Sequence, residues 1–290
     1  MPGMKPTGTT RRLILTGLVV LFGAGLLQCS RGKSESRMPW TRTLADAKSK
    51  AANGNKLIIA DVYTDWCGWC KEMDVKTWAH PSVIRESDKY VFLKLNAETE
   101  DDGVALAKRF GIQSYPMVML LDSKGDEFDR LEGYLPAEQF LEKLNSTVSD
   151  PNALGNLKAQ AAKEPDNLDL VFKLGKKLFG RYDFEGAQTR FERIIEQDPG
   201  NKSQLVDSAL FYLALCQASQ TQTDRSLATI DTLRKTYPES KFVANSYLLS
   251  AEILVRLGKK DAARTRLENF LKTYPDHQLV DQAKKLLADL

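Results

Sequence analysis

Trp66-Cys67-Gly68-Trp69-Cys70-Lys71 is the stretch on which the rest of the chain is organised. An apolar run precedes it, Leu57-Ile58-Ile59-Ala60-Asp61-Val62-Tyr63, and reads as a central strand covered on both faces. Lys71 to Ala79, which follows, holds helix-forming residues and neither glycine nor proline. Two thiols at i and i+3 on the first turn of a helix share one face and come close enough to bridge. The helix N-terminus offers free N–H groups and the positive end of the dipole. That favours a thiolate at Cys67, and thiolate is the attacking species in disulfide exchange. Cys70 is then the resolving thiol, with Gly68 as a supporting residue between the two. A strand–CxxC–helix junction is the sequence mark of a dithiol redox site.

Other uses of the pair are weighed against this one. Half a zinc site also reads CxxC, but zinc needs two further ligands. The chain offers Cys29, Cys216, His80 and His277, and none forms a second pair at ligand spacing. The expectation is therefore no metal, and no cofactor other than a redox-active Cys67–Cys70 disulfide. A structural disulfide is the remaining alternative, yet a bridge closing so short a loop constrains the unfolded chain little.

The surrounding residues carry a family resemblance. Asp61 lies six residues before Cys67, and Lys94 lies on the next apolar run, Tyr90 to Asn96. Gly111-Ile112-Gln113-Ser114-Tyr115-Pro116 precedes a third run, Met117 to Leu121, and Gly133 follows a fourth short strand. This order resembles thioredoxin across residues 40–148. The resemblance implies an α/β thioredoxin fold, a central mixed sheet flanked by helices. It also implies that Pro116 is the cis-proline facing the dithiol, and that Asp61 and Lys94 form a buried acid–lysine pair behind it. Cys70-Lys71-Glu72-Met73, Thr77-Trp78, Pro81 and Val83 look like a subgroup, the thioredoxin-like domains of exported reductases, including the C-terminal domain of DsbD-type proteins. Trp69 and Val75 depart from thioredoxin, which has proline at both positions.

The activity implied is thiol–disulfide exchange on protein disulfides. Asp61, buried beside the dithiol, would accept the proton of Cys70. Tyr115 and Pro116 would present backbone to an extended substrate, and Trp66 and Trp69 would cover the disulfide and supply an apolar docking surface. No histidine lies between the cysteines, so imidazolium stabilisation of a thiolate is missing there and the pair leans towards reduction of its substrates. A reductase in an oxidising compartment requires an electron donor, here a membrane reductase.

The chain has 290 residues and a formal charge of +3, a length that points to two domains. The near-balanced charge argues against nucleic acid as a partner. Residues 1–29 read as a signal segment: Lys5, Arg11 and Arg12 form a basic n-region, and Leu13 to Leu27 an uncharged apolar run, short for a membrane span. Gln28-Cys29 at its end resembles a bacterial lipobox, although Gln28 replaces the usual small residue. Lipidation of Cys29 would anchor an exported protein to a membrane on the periplasmic side. Residues 30–38 read as a polar tether. The first domain spans 39–150, with helices over Thr43–Ala52, Asp101–Phe110 and Pro136–Leu144 and a hairpin around Ser123-Lys124-Gly125-Asp126. His80 is placed at the C-terminal end of the site helix, where its charged form suits the dipole.

Residues 151–290 read as all-α. Pro165, Pro199, Pro238 and Pro275 recur at intervals of 34, 39 and 37 residues, near the length of a helix–turn–helix repeat. Gly175, Ala187 and Phe191 precede Pro199, and Ala251, Ala263, Leu267 and Phe270 precede Pro275: small residues where helices touch, large ones where they pack. This resembles tetratricopeptide repeats over residues 165–275, well matched in the first and third units and loosely in the second, with Gln278 to Leu290 as a capping helix. Such a domain would bind a protein or peptide ligand. Cys216 falls on an apolar helix face and reads as a buried, inert thiol. A competing function is a scaffold or assembly lipoprotein in which the repeats are the working part and the thioredoxin fold is a docking module.

Overall fold

The computed structural model describes residues 37–290. The basic leader, Cys29 and the tether up to residue 36 lie outside the described residues. Strand β1, Ile58–Tyr63, pairs in parallel with β2, Val91–Asn96, and antiparallel with β3, Met117–Leu121. β3 in turn pairs antiparallel with β4, Glu127–Glu132, across the expected hairpin, so the mixed sheet runs β2-β1-β3-β4. Alternation along β1 divides its side chains between two layers. Ile58, Ala60 and Val62 join Ala47 and Ala51 of α1, Leu44–Gly54, and Leu106 of α4, Asp101–Arg109. Ile59 points the other way, with Phe92, Val118 and Leu120, towards Met73, Trp78 and Phe140. Trp78 is the centre of that second layer, with Trp40, Phe92 and Phe140 at centroid distances of 5.4, 6.1 and 4.9 Å in edge-on contact. Truncating it to alanine would cost about 3–5 kcal/mol.

Several boundaries differ from the sequence reading, each for a local reason. α1 continues to Gly54, and Asn55, in the left-handed conformation, closes it. Helix α5, Ala137–Ser149, passes Leu144, because no breaker intervenes and Val148 still reaches the core. The tether is shorter than its polarity indicates: Met38 is buried in the second layer, and Thr41 pairs with the free edge of β2 through Thr41 N–H to Phe92 O at 2.8 Å. The site helix α2, Gly68–Met73, runs into a π-turn over Asp74–Trp78. His80 does not sit on its last turn. It caps the N-terminus of α3, Pro81–Ile84, where its Nδ1 accepts the Ser82 N–H. The imidazole thereby takes the place of the side-chain oxygen that ordinarily caps a helix N-terminus.

From residue 154 every regular element is helical. α6, Leu154–Lys163, precedes three helix pairs: α7, Leu168–Phe179, with α8, Phe184–Gln197; α9, Val206–Ser219, with α10, Thr223–Thr236; and α11, Val243–Arg256, with α12, Lys260–Thr273. α13, Val280–Ala288, covers the last pair. Pro199, Pro238 and Pro275 each follow the C-cap of the second helix of a pair, where no further N–H is required. Small residues sit at the closest approaches: a Cβ on Gly175 would lie 2.9 Å from the Phe191 ring, and Ser226 Oγ donates to Ala214 O at 2.7 Å. No helix among the described residues is long and apolar enough to cross a membrane.

The helical part is joined to the sheet along β4. α6 packs on that strand, and a Cβ on Gly155 would lie 2.2 Å from the Phe128 ring, so only glycine permits the approach. Asp129 accepts the Leu154 N–H at 3.3 Å, Lys177 Nζ at 2.9 Å and the Arg181 guanidinium, while Glu127 holds Arg130 through two bonds of 2.7 and 2.6 Å. Burial pushes the Asp129 carboxyl up, but the bonds from Lys177 and the Arg130 N–H, with the charge of Arg181, hold it below the usual carboxylate range. The edge of the sheet is thus covered by a helix rather than left open to pairing.

Candidate active site

Cys67 is the N-cap of α2. Its backbone is extended, and its Sγ accepts the Cys70 N–H at 3.0 Å. The two sulfurs are bonded to each other, with 5.3 Å between the Cα atoms. A sulfur that already receives a helix N–H stays stabilised when it becomes a thiolate. The asymmetry between the cysteines is therefore electrostatic and not one of exposure: Cys67 is 3% exposed and Cys70 2%.

The flanking tryptophans behave differently. Trp66 and Trp69 are 66% and 62% exposed, and each ring is held by a second aromatic. Trp66 meets Tyr115 edge-on at 6.0 Å and donates its Nε1–H to both oxygens of Glu98 at 3.0 Å. Trp69 stacks on Tyr134 at 5.4 Å. Two loops are thereby drawn to the dithiol. One ends in Tyr115-Pro116, whose peptide bond is cis. The other turns at Gly133, whose φ of +81° suits glycine and whose N–H donates to Pro116 O at 3.0 Å.

Asp61 lies opposite Lys94 in the β1–β2 register, on the face of β1 that holds Ile59. Lys94 Nζ donates to Asp61 Oδ2 at 2.7 Å and also to Asp74 Oδ1. Its ammonium sits 4.6 Å from the centre of the Tyr63 ring and 5.3 Å from that of Trp40. Desolvation pushes the Asp61 carboxyl above its ordinary range; Lys94 pulls it back only in part, and the charge of Asp74 pushes it up again. Lys94 is itself partly desolvated, which lowers its pKa, but two carboxylates outweigh this and keep it protonated. Asp74 was not singled out from the sequence. Its only signal is the position four residues after Cys70, and the π-turn that brings it to Lys94 carries no sequence mark. Val75, where thioredoxin has proline, lies in that turn and is exposed.

Cys216 stands apart, buried in the repeats, with burial pushing its thiol up to about 12. It carries no thiolate near neutral pH. The dithiol, by contrast, is flanked by the exposed aromatic surface of Trp66 and Trp69.

Fold and site together define a thioredoxin-like module followed by tetratricopeptide repeats. Residues 44–147 match the thioredoxin-like domain family, and residues 208–240 and 245–277 match the tetratricopeptide repeat family. The second repeat, loosely patterned to the eye, is thus a family match together with the third. The chain is similar to the thiol:disulfide interchange protein DsbD of Cronobacter sakazakii, 29% identical over 156 residues, covering 48% of this chain and 27% of that protein. It is similar to the DsbD of Haemophilus ducreyi, 32% identical over 106 residues, covering 36% and 18%. The chain therefore spans about a quarter or less of these relatives' lengths. The oxidised C-terminal domain of Neisseria meningitidis DsbD aligns at 26% identity over 35% of this chain and 90% of that structure, with a TM-score of 0.31.

Proposed function

We propose that this protein is a thiol–disulfide oxidoreductase that reduces protein disulfides through Cys67 and Cys70. The observation that carries the reading is Cys67 Sγ at the helix N-cap, bonded to Cys70 and accepting its N–H, on the helix that follows the strand bearing the buried Asp61. The similarity of this module to thiol:disulfide interchange proteins supports it.

In the reducing direction the Cys67 thiolate attacks one sulfur of a client disulfide. A Cys67–client bond forms, the client S–S bond breaks, and the departing client thiolate takes a proton from solvent. Cys70 then loses its proton to Asp61 and attacks Cys67 Sγ. The Cys67–Cys70 bond forms and the second client thiolate leaves, so that two electrons pass to the client. Asp61 suits this role because its raised pKa lets it hold the proton until solvent removes it. A membrane reductase restores the dithiol. Pro116 and Tyr115 offer backbone to the client, and Trp66 and Trp69 an apolar surface.

In the same reading the protein is exported, with Cys29 as a lipid anchor on the periplasmic side, and the repeats hold a protein or peptide partner. The test is reduction of insulin by the full chain under a thiol donor, with Cys67→Ala as control. Equal turnover by the two proteins would refute the assignment.

A further inference from the structure

We propose that the pairs Trp66–Tyr115 and Trp69–Tyr134, together with the carboxylates of Asp65 and Glu98, select the client. The surface takes extended polypeptide segments whose cysteine has a large apolar residue on one side and a basic residue on the other. The inference rests on the oxidoreductase reading above and names the substrate class of that site.

Two tryptophans exposed by more than half within four residues leave an apolar surface in water at the mouth of a redox site. Neither ring is loose. Trp66 is fixed by Glu98 and Tyr115, and Trp69 by Tyr134. Tyr134 is itself braced on both sides, by the Gly133 N–H to Pro116 O bond and by Thr77 Oγ1 donating to Leu135 O at 2.5 Å. An exposed aromatic that is already ordered loses little entropy when a ligand covers it, which is the property of a binding anchor. The buried sulfurs require the client cysteine to come down between these rings, so its chain neighbours lie against them.

The charge around the mouth sets the second requirement. Glu98 sits on the Trp66 indole, and exposed Asp65 is held by Asn96 Nδ2 at 3.0 Å. Glu72 of α2 and Lys76 of the π-turn pair with each other at 2.8 Å, which leaves Asp65 and Glu98 against Lys71. The balance is negative. It favours a basic neighbour of the client cysteine and disfavours acidic ones, including the carboxylates of glutathione. Tyr134 touches neither sulfur. It is a positioning residue that acts through Trp69.

The test uses the reduced full chain and three symmetrical peptide disulfides, Gly-Phe-Cys-Arg-Gly, Gly-Ser-Cys-Arg-Gly and Gly-Phe-Cys-Glu-Gly, with insulin alongside. Second-order rate constants are read from tryptophan fluorescence. The Phe-Cys-Arg disulfide should react about tenfold faster than Ser-Cys-Arg, the effect of covering one phenyl ring. It should react about threefold faster than Phe-Cys-Glu, as exposed charges allow. Tyr134→Ala should bring the first ratio down to about threefold while Tyr134→Phe keeps it. Glu98→Gln should flatten the second ratio and not the first. Equal rates on the three peptides would overturn the selectivity and leave the oxidoreductase reading standing. A Tyr134→Ala protein that slows on all three alike, with its ratios intact, would overturn the positioning role. No reduction of any peptide or of insulin would overturn the oxidoreductase reading and the selectivity with it.

Discussion

Lys94 donates to Asp61 Oδ2 at 2.7 Å, yet Asp61 Oδ1 is buried without a hydrogen-bond partner among the described residues. Half of the carboxylate is thus firmly held; the Trp78 indole N–H, itself without another partner, draws the carboxyl down less than burial pushes it up. A group in that state resists ionisation, and an acid that resists ionisation accepts a proton readily. The same arrangement costs stability whenever Asp61 is charged.

Asp61→Asn should therefore slow the enzyme and steady the fold. Resolution by Cys70 should fall at least about tenfold at neutral pH, since the amide cannot take the proton. The folded-state pKa of Asp61 lies above its unfolded value, so the penalty is absent below about pH 4, where both states are protonated, and grows as pH rises. Lys94 keeps Asp74 as a partner and is not stranded. Denaturant unfolding should show the variant more stable by about 1–2 kcal/mol near pH 7, with the gain vanishing near pH 4. A variant less stable than the parent at neutral pH would show that the Lys94 pair outweighs the unsatisfied oxygen.

Asp74→Ala should move the acid limb of the pH–rate profile to lower pH. The charge of Asp74 pushes the Asp61 carboxyl up, and Asp74 also draws on the Lys94 ammonium. Without it Lys94 belongs to Asp61 alone, and Asp61 ionises more easily. Maximal turnover should fall by a few-fold at most, since general-base efficiency changes gradually with pKa. An acid limb that stays in place would detach Asp74 from the site.

How far the sequence carried these conclusions depends on the residue. β1, β2 and β3 were legible because a buried strand is a short apolar run between turn residues, whereas β4, with four charged residues in six, was legible only through the turn at Ser123-Lys124-Gly125-Asp126 that pairs it with β3. The resemblance implied an Asp61–Lys94 pair; the two residues stand opposite each other on β1 and β2, a register that the sequence alone did not state. Asp74 was not legible: the π-turn depends on how Trp78 and Thr77 settle against the core, and local propensity does not encode that. Tyr134 was hidden for a similar reason, since its partner is 65 positions away in the chain. The second repeat looked irregular because α9 is buried on most of its surface, from Val206 to Ala218, and a helix apolar all round shows no stripe.

The boundary after residue 150 can be tested through the packing of α6. A protein ending at Asp150 exposes Phe128, Asp129 and the edge of β4, whereas one ending at Lys163 keeps Leu154 and Gly155 against them. Both should reduce insulin, and the longer should be the more stable by about 2 kcal/mol or more, from covering Phe128 and satisfying the edge. Equal melting temperatures would show that α6 contributes nothing to the sheet.

Asp129→Ala should loosen the junction in the full chain. It strands Lys177 and deprives Arg181 of its principal partner, at a cost of about 3 kcal/mol for a buried pair, less what Glu127 recovers. The folded pKa of Asp129 lies below its unfolded value. Its contribution is thus present above about pH 4 and is lost as pH falls through the folded pKa. The gap between parent and variant should narrow on acidification. A constant gap would assign the loss to packing and not to charge.

Cys70→Ala should trap clients on Cys67. The helix N–H groups stabilise the Cys67 thiolate whether or not Cys70 is present, so the first attack survives the substitution. The second does not: the mixed disulfide then has no internal thiol to resolve it and persists until an outside thiol arrives. Adducts should accumulate on a non-reducing gel and vanish with reductant. Cys29 is replaced in the same protein so that it forms no competing bond. Cys216, buried and with its thiol pushed up to about 12, should add nothing when restored. The trapped proteins identify the electron donor and the clients, and their cysteines report the neighbours that Trp66, Trp69 and Glu98 accept. In Cys67→Ala the remaining thiol sits inside the first turn, away from the N-cap position, and trapping should be at least about tenfold weaker. Stronger trapping by Cys67→Ala would reverse the two roles. No trapping by either, with insulin reduction also absent, would leave the repeats as the working part of the molecule.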